Sequence, residues 1–193
     1  MITTFAAFAV IVGGILLVLA RLLHGRLSSK ELWQIVSCGA IFTLLGPVGE
    51  VAVGSFYTAI FGHHLWDYQL WPVHDGYTSL IAPFIWFLGG MELAIMLHFI
   101  RRVRSKLLHV VWVTIDILVF ELVLNIGFWM ISGERLFYYT PSDLGHFSSL
   151  QTLPFYAVAA VVAMKSIDVT KDHRKFWIAM NMAMAFIFVY LAR

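Results

Sequence analysis

This sequence predicts an all-α fold: a polytopic transmembrane helical bundle of six spans with a parallel internal repeat of two helical hairpins. Three observations carry that expectation. Of 193 residues, 61% are hydrophobic and only 12% are charged, whereas a soluble domain uses about a quarter of its residues as charges to cover its surface. The apolar residues fall in runs near the roughly 20 that a spanning helix needs. Lys and Arg gather at alternate ends of those runs, the distribution expected of a chain threaded through a bilayer.

The first run, 3–21, is longer than the apolar core of a usual signal peptide, and no Lys or Arg precedes it. Val18-Leu19-Ala20 weakly resembles a cleavage site, but the basic flank after it (Arg21, His24, Arg26) reads as the end of a first span. The further spans are expected at 33–61, 77–100, 107–131, 147–164 and 176–191. The second and fourth are long enough to tilt or to end in an interfacial turn. Connections are short, so residues 1–193 read as one integral membrane domain. Eleven of the 13 Lys and Arg follow the first, third and fifth spans; only Arg135 and Arg193 fall on the opposite side. Both termini and the loops at 62–76 and 132–146 are therefore expected outside the cytoplasm, in a cell (inner) membrane. The net charge of +2 arises from these clusters and leaves no nucleic-acid footprint. A single cysteine, Cys38, excludes an internal disulfide and a cysteine metal cluster.

The two outer loops resemble each other. Glu50 is followed by Gly62, Leu65, Trp66 and Tyr68; Glu121 is followed at the same offsets by Gly133, Leu136, Phe137 and Tyr139. Pro72, Gly76 and Ser79 then answer to Pro141, Gly145 and Ser148 after a two-residue deletion, and each loop leads to an early helical proline, Pro83 or Pro154. The expected repeat units are about 31–102 and 103–170, parallel hairpins related by an axis near the membrane normal. A plainer reading is that duplication built a stable bundle and nothing more.

The stretch Phe61-Gly62-His63-His64-Leu65-Trp66-Asp67-Tyr68, with Glu50 before it and Gly76-Tyr77-Thr78-Ser79 and Trp86 after it, resembles the CmpB-like family, catalogued as type IV ABC-transporter components, and its small vertebrate transmembrane relatives. The resemblance covers about residues 46–90 and implies a glutamate in a span, an FG-x-x-LWDY turn and a glycine-containing entry to the next span. Gln69 stands where that family usually has Ser, and Asp75-Gly76-Tyr77 replaces its usual basic segment. The sequence has no G-x-x-x-x-G-K-[ST] loop, so ATP hydrolysis is not expected of it. The resemblance implies an architecture, not a reaction.

Four carboxylates fall inside expected spans: Glu50, Glu92, Asp116 and Glu121. Each costs on the order of 2.5–3.5 kcal/mol at mid-helix, so each should face the bundle interior and find a partner. Glu50 and Glu121 lie in the outer half; Glu92 and Asp116 lie in the inner third. Glu121 shares a helix face with Thr114, Leu118 and Asn125, and Glu50 with Gly46, Pro47, Gly54 and Tyr57. Small residues there let a helix or ligand approach closely. The repeat makes the two glutamates equivalent, so they are expected to converge. Two carboxylates in low dielectric repel when both are ionised, and a shared proton there is the condition for general-acid chemistry. The competing reading is a register-fixing carboxyl–carboxyl or Glu–Asn hydrogen bond.

Above this pair the sequence places His63, His64, His74 and His146 with Asp67 and Asp75. Imidazole and carboxylate suit a divalent metal, but no H-E-x-x-H spacing is present, and interfacial histidines beside belt aromatics are the plainer reading. His64, His74 and His146 join Glu50, Glu121 and Asn125 as candidate catalytic residues; no metal or cofactor is specified. Glu92 and Asp116 are expected to pair with Arg101, Arg102 or His109, with a proton or cation relay as the rival. Ser79, Ser148 and Ser149 lie near the outer histidines but also suit helix N-caps. Three functions remain open: an enzyme acting on a lipid or isoprenoid, a permease component coupled to protons or cations, and a non-catalytic membrane scaffold. The expected partners are the bilayer, a lipid or isoprenoid ligand, and a second copy or another membrane protein; Gly13-Gly14 and Gly89-Gly90 are close-packing points either within the chain or between copies.

Overall fold

The computed structural model describes residues 1–25, 28–100, 105–170 and 174–191. Six α-helices account for most of the chain: α1 (Ile2–His24), α2 (Ser29–Phe61), α3 (Ala82–Ile100), α4 (Lys106–Ser132), α5 (Leu153–Thr170) and α6 (Arg174–Tyr190). Three of them, over Ile2–Leu23, Ser29–Phe61 and Lys106–Ser132, are long and apolar enough to cross a membrane; the apolar stretches Ala82–Leu97 and Lys175–Tyr190 are shorter. Val10, Leu22, Val123, Met130 and Val158 are each more than 60% exposed. So much bare aliphatic surface needs an apolar solvent. Arg26, Arg101, Arg102, Arg104, Lys171, His173 and Arg193 lie outside the described residues.

Local chemistry sets the helix ends. Ser28 caps α2 in a capping box with Glu31, and Ser105 accepts from the Leu108 N–H at the start of α4. At the other end α2 and α4 stop alike. Gly62 (φ 75°) and Gly133 (φ 75°) take the left-handed conformation and donate their N–H groups to Thr58 and Trp129, a conformation open to glycine at little steric cost. α2 packs chiefly on α3 and α6. Gly90 of α3 rests on Cys38 and Gly39 of α2, where a Cβ would lie 2.6 Å from the Cys38 carbonyl oxygen. Gly90 thus serves a contact within the chain.

Two expected spans begin later than the hydropathy suggests. The third starts at Ala82 instead of 77, and the fifth at Leu153 instead of 147. Thr78 and Ser79 are extended, Leu150–Thr152 forms a single 3-10 turn, and the hydroxyls in these stretches are committed to loop partners. Ser79 Oγ bonds to the Leu70 and Trp71 carbonyls, and Ser149 Oγ to Asp143.

The outer loops also carry short strands: β1 (Trp66–Tyr68), β2 (Pro72–Val73), β3 (Thr78–Ser79) and β4 (Phe137–Tyr139). β1 and β4 pair antiparallel, with Trp66 opposite Tyr139, Asp67 opposite Tyr138 and Tyr68 opposite Phe137. Two flanking bonds mirror each other: Gln69 N–H to Leu136 C=O, and Thr140 N–H to Leu65 C=O, both near 3 Å. Leu65 and Leu136 are fully buried beneath this ribbon, in a cluster with Phe5, Phe8, Tyr57 and Phe128. A second cluster, with Leu16, Ile41, Leu93, Val113 and Ala160, fills the bundle below.

Candidate functional site

α2 carries Glu50 and α4 carries Glu121, and both side chains reach the space beneath the ribbon. Glu50 Oε1 accepts from Tyr68 Oη at 2.5 Å and from Trp86 Nε1 at 2.9 Å; its Oε2 accepts from Thr78 Oγ1 at 2.6 Å. Glu121 Oε1 accepts from Tyr139 Oη; its Oε2 accepts from Ser148 Oγ at 2.9 Å and from Tyr156 Oη. Each acid is held by one residue of the paired strands, one hydroxyl at the end of the loop and one aromatic side chain of the next helix. Neither meets a cationic side chain among the described residues; the desolvation of each carboxyl is offset by neutral donors alone. Such donors to an ionised acceptor are worth more than ordinary hydrogen bonds.

The donors recur at matching intervals. Tyr68 and Tyr139 each lie 18 positions after their acid. Thr78 lies 28 after Glu50 and Ser148 27 after Glu121. Ser79 and Ser149 each accept from the N–H two residues on, of Ile81 and Gln151. By its bonding Ser148 matches Thr78, not Ser79, at nearly the same separation from its acid.

Gly46, one turn before Glu50, makes the first cage possible. A Cβ there would fall 2.0 Å from the Trp86 ring, so only a bare backbone lets the indole lie across α2 and point its N–H at Glu50. Gly54 admits Tyr77 in the same way, at 2.4 Å. The small-residue face of α2 thus receives aromatic side chains from the following loop and helix.

Both glutamates line one cavity of about 380 Å³ between α2 and α5, roofed by β1 and β4. Its walls include Phe42, Trp66, Trp86, Phe137, Phe155 and Tyr156. Val48 and Ala52 of α2 and Val158 and Val162 of α5 form an exposed rim, so the cavity opens sideways through the apolar belt of the bundle. No Lys, Arg or His lines it among the described residues. A smaller space of about 30 Å³ continues below, between Ile85, Trp86, Ile117, Phe120 and the two acids.

The other sequence candidates lie elsewhere. Asn125 is fully buried but does not line the cavity. Its Nδ2 donates to the Phe137 and Phe147 carbonyls, and its Oδ1 accepts from the Leu136 N–H; it fastens the second loop to α4. His64 bonds to Asp67 at 2.7 Å, His74 stacks on Phe188 of α6, and His146 stacks on Tyr138 and bonds to the Tyr139 carbonyl. None of these histidines reaches the cavity wall. Among the described residues no group of three or more His, Cys, Asp or Glu side chains is gathered to hold a metal. Glu92 and Asp116 are close neighbours, with Asp116 Oδ2 buried and, among the described residues, without a hydrogen-bond partner; Arg101 and Arg102, two of their expected partners, lie outside the described residues. Sequence reasoning missed Thr78, Trp86 and Tyr156 as partners of the acids. Their repeated spacing from each glutamate was the available signal.

Comparison with family models, with curated proteins and with solved structures gives no match. The functional reading therefore rests on this geometry.

Proposed function

We propose that the chain is an intramembrane acid–base enzyme whose substrate is a lipid or isoprenoid entering sideways between α2 and α5. One observation carries the reading: two caged glutamates share the wall of an apolar cavity that is open at the lipid-facing rim. With one carboxyl protonated and the other ionised, the pair can deliver a proton to one carbon of a double bond and withdraw one from a neighbouring carbon. Atoms balance without a cofactor: the double bond migrates, or a ring closes if the chain is folded back on itself. Proton transfer from positioned carboxyls is worth roughly 10²–10⁴-fold, and exclusion of water protects a reactive intermediate.

The architecture belongs to the same proposal. The six helices act as six spans with both termini outside the cytoplasm. The mirrored ribbon bonds and matched donor spacings support two copies of one hairpin facing each other across the cavity. The resemblance to CmpB-like proteins rests on Glu50, Trp66, Tyr68 and Trp86, the residues that form and roof the first cage, and we read that turn-on-carboxylate unit as the feature shared. A permease reading needs a polar path from this pair to Glu92 and Asp116; buried Ile117 and Leu118, with Phe120 against Gly89, lie between the two levels instead.

The test is complementation of a deletion strain, read by mass spectrometry of its lipid extract. Wild-type protein is expected to restore a lipid or isoprenoid species that Glu50→Gln and Glu121→Gln, present at equal level, do not. An unchanged profile, or full restoration by both variants, overturns the reading.

A further inference from the structure

The chemistry of the wall specifies more than an apolar ligand. Eight aromatic side chains, two carboxylates and, among the described residues, no basic group face the same space. Aromatic faces carry negative charge density, so a ring that turns its face to the cavity acts in the same sense as the two carboxylates. A phosphate or carboxylate headgroup would meet no cation there, and its donors would already be engaged by Glu50 and Glu121. The carboxylates themselves are not saturated. An ionised carboxylate offers about four acceptor sites, and three are occupied at each glutamate. Both side chains are half-buried, and both line the cavity.

We propose that the cavity binds a compact positive charge carried on an apolar chain, with the charge between the two glutamates and the aromatic faces and the chain leaving along the Val48, Ala52, Val158 and Val162 rim. The ligand class is a lipophilic cation: a stable alkylammonium, or the carbocation formed when a double bond is protonated. This rests on the acid–base reading, since protonation of a carbon–carbon double bond generates that charge at the centre of the site. The ring faces then stabilise the cation by charge density without forming a bond to it, and the second carboxylate removes the proton that discharges it.

Three ligands with the same twelve-carbon chain separate charge from shape: dodecyltrimethylammonium, its neutral isostere with a tert-butyl head, and dodecanoate. Each is titrated into the full-length protein in zwitterionic nanodiscs, with empty nanodiscs as the partition control and tryptophan fluorescence as the readout. The ammonium is expected to bind at least about tenfold more tightly than the isostere, and dodecanoate to show no saturable binding. The Glu50→Gln/Glu121→Gln double variant should bring ammonium and isostere within about twofold of each other. Phe155→Leu, which leaves both cages intact, should weaken the ammonium about threefold and leave the isostere unchanged; it keeps the test decisive if the double variant does not fold. Equal binding of ammonium and isostere, preferred binding of dodecanoate, or an undiminished preference in the double variant overturns the cation site. Ammonium preference with an unaltered lipid profile sinks catalysis and leaves the site standing. A Gln-sensitive lipid profile with no ammonium preference sinks the cation site alone.

Discussion

Each glutamate is tied so closely to its donors that structure and chemistry can be separated by choice of substitution. A glutamine at position 50 can keep its oxygen on Tyr68 and Trp86 while its NH₂ donates to the Thr78 hydroxyl, which can reverse its role. At 121 the amide can likewise donate to Ser148 or Tyr156. Bonds to charged acceptors exceed neutral ones by about 1 kcal/mol each, so each glutamine is expected to fold with a loss of about 1–3 kcal/mol. Alanine strands three donors and opens a void, at about 3 kcal/mol or more. Thermal unfolding of the four variants measures that difference. Gly46→Ala is expected to cost about 1–3 kcal/mol, because its Cβ occupies the Trp86 ring position, and to shift tryptophan emission as the indole loses its bond to Glu50. Burial, then the charge of the neighbouring glutamate, pushes the Tyr68 and Tyr139 phenols well above their ordinary value of 10.0. A raised folded value means the folded chain keeps a proton the unfolded chain releases. The stability these phenols contribute is fully present below pH 10 and declines as pH rises above it. A fall in the unfolding midpoint that begins only above about pH 10 is expected in a pH series of melts.

At the scale of elements, the loops hold the acids and the helices deliver them. Asn125 bridges α4 to the second loop through three backbone partners, with the bonds to Phe137 and Leu136 buried and that to Phe147 part-buried. Asn125→Ala is expected to lose about 3 kcal/mol or more, and Asn125→Asp to lose as much because a carboxylate cannot donate to the Phe137 and Phe147 carbonyls; chemical denaturation in detergent checks both. The six helices were legible because long apolar runs and Lys/Arg clusters are one-dimensional signals. The convergence of Glu50 and Glu121 was legible too, through their common offsets to Tyr68 and Tyr139. The β1–β4 ribbon was not, since three-residue strands make no periodic pattern and their aromatic residues read equally as a membrane belt. The late starts of α3 and α5 were hidden for a related reason. Ser79, Ser148 and Ser149 look like caps in sequence, but Ser148 leaves the helix path to serve Glu121, as Thr78 serves Glu50. Asn125 sits correctly on the polar face of Glu121's helix, yet only coordinates distinguish a ligand group from a loop fastener.

In the whole molecule, two acid pairs occupy separate levels of one bundle. The Glu92–Asp116 pair lies between α3 and α4, half-buried, whereas the Glu50–Glu121 pair faces the gap between α2 and α5. The ribbon closes that gap above, and between Ile117, Phe120 and Trp86 it narrows to a space of about 30 Å³. Access is left through the side, past Val48 and Val158, both exposed. Lateral opening beside both acids is thus the physical condition for any chemistry on a membrane-dissolved substrate. Cysteine placed at Ala159, in the cavity wall, reports on it, with Ala160 as the control facing the core at 0% exposure; native Cys38 is itself buried. In intact membranes, Ala159→Cys is expected to react with a lipid-soluble alkyl maleimide and not with a charged, membrane-impermeant one, while Ala160→Cys reacts with neither, as read by adduct mass. Equal labelling of both positions by the lipid-soluble reagent, or labelling of Ala159→Cys by the impermeant reagent alone, would contradict a cavity open to the bilayer.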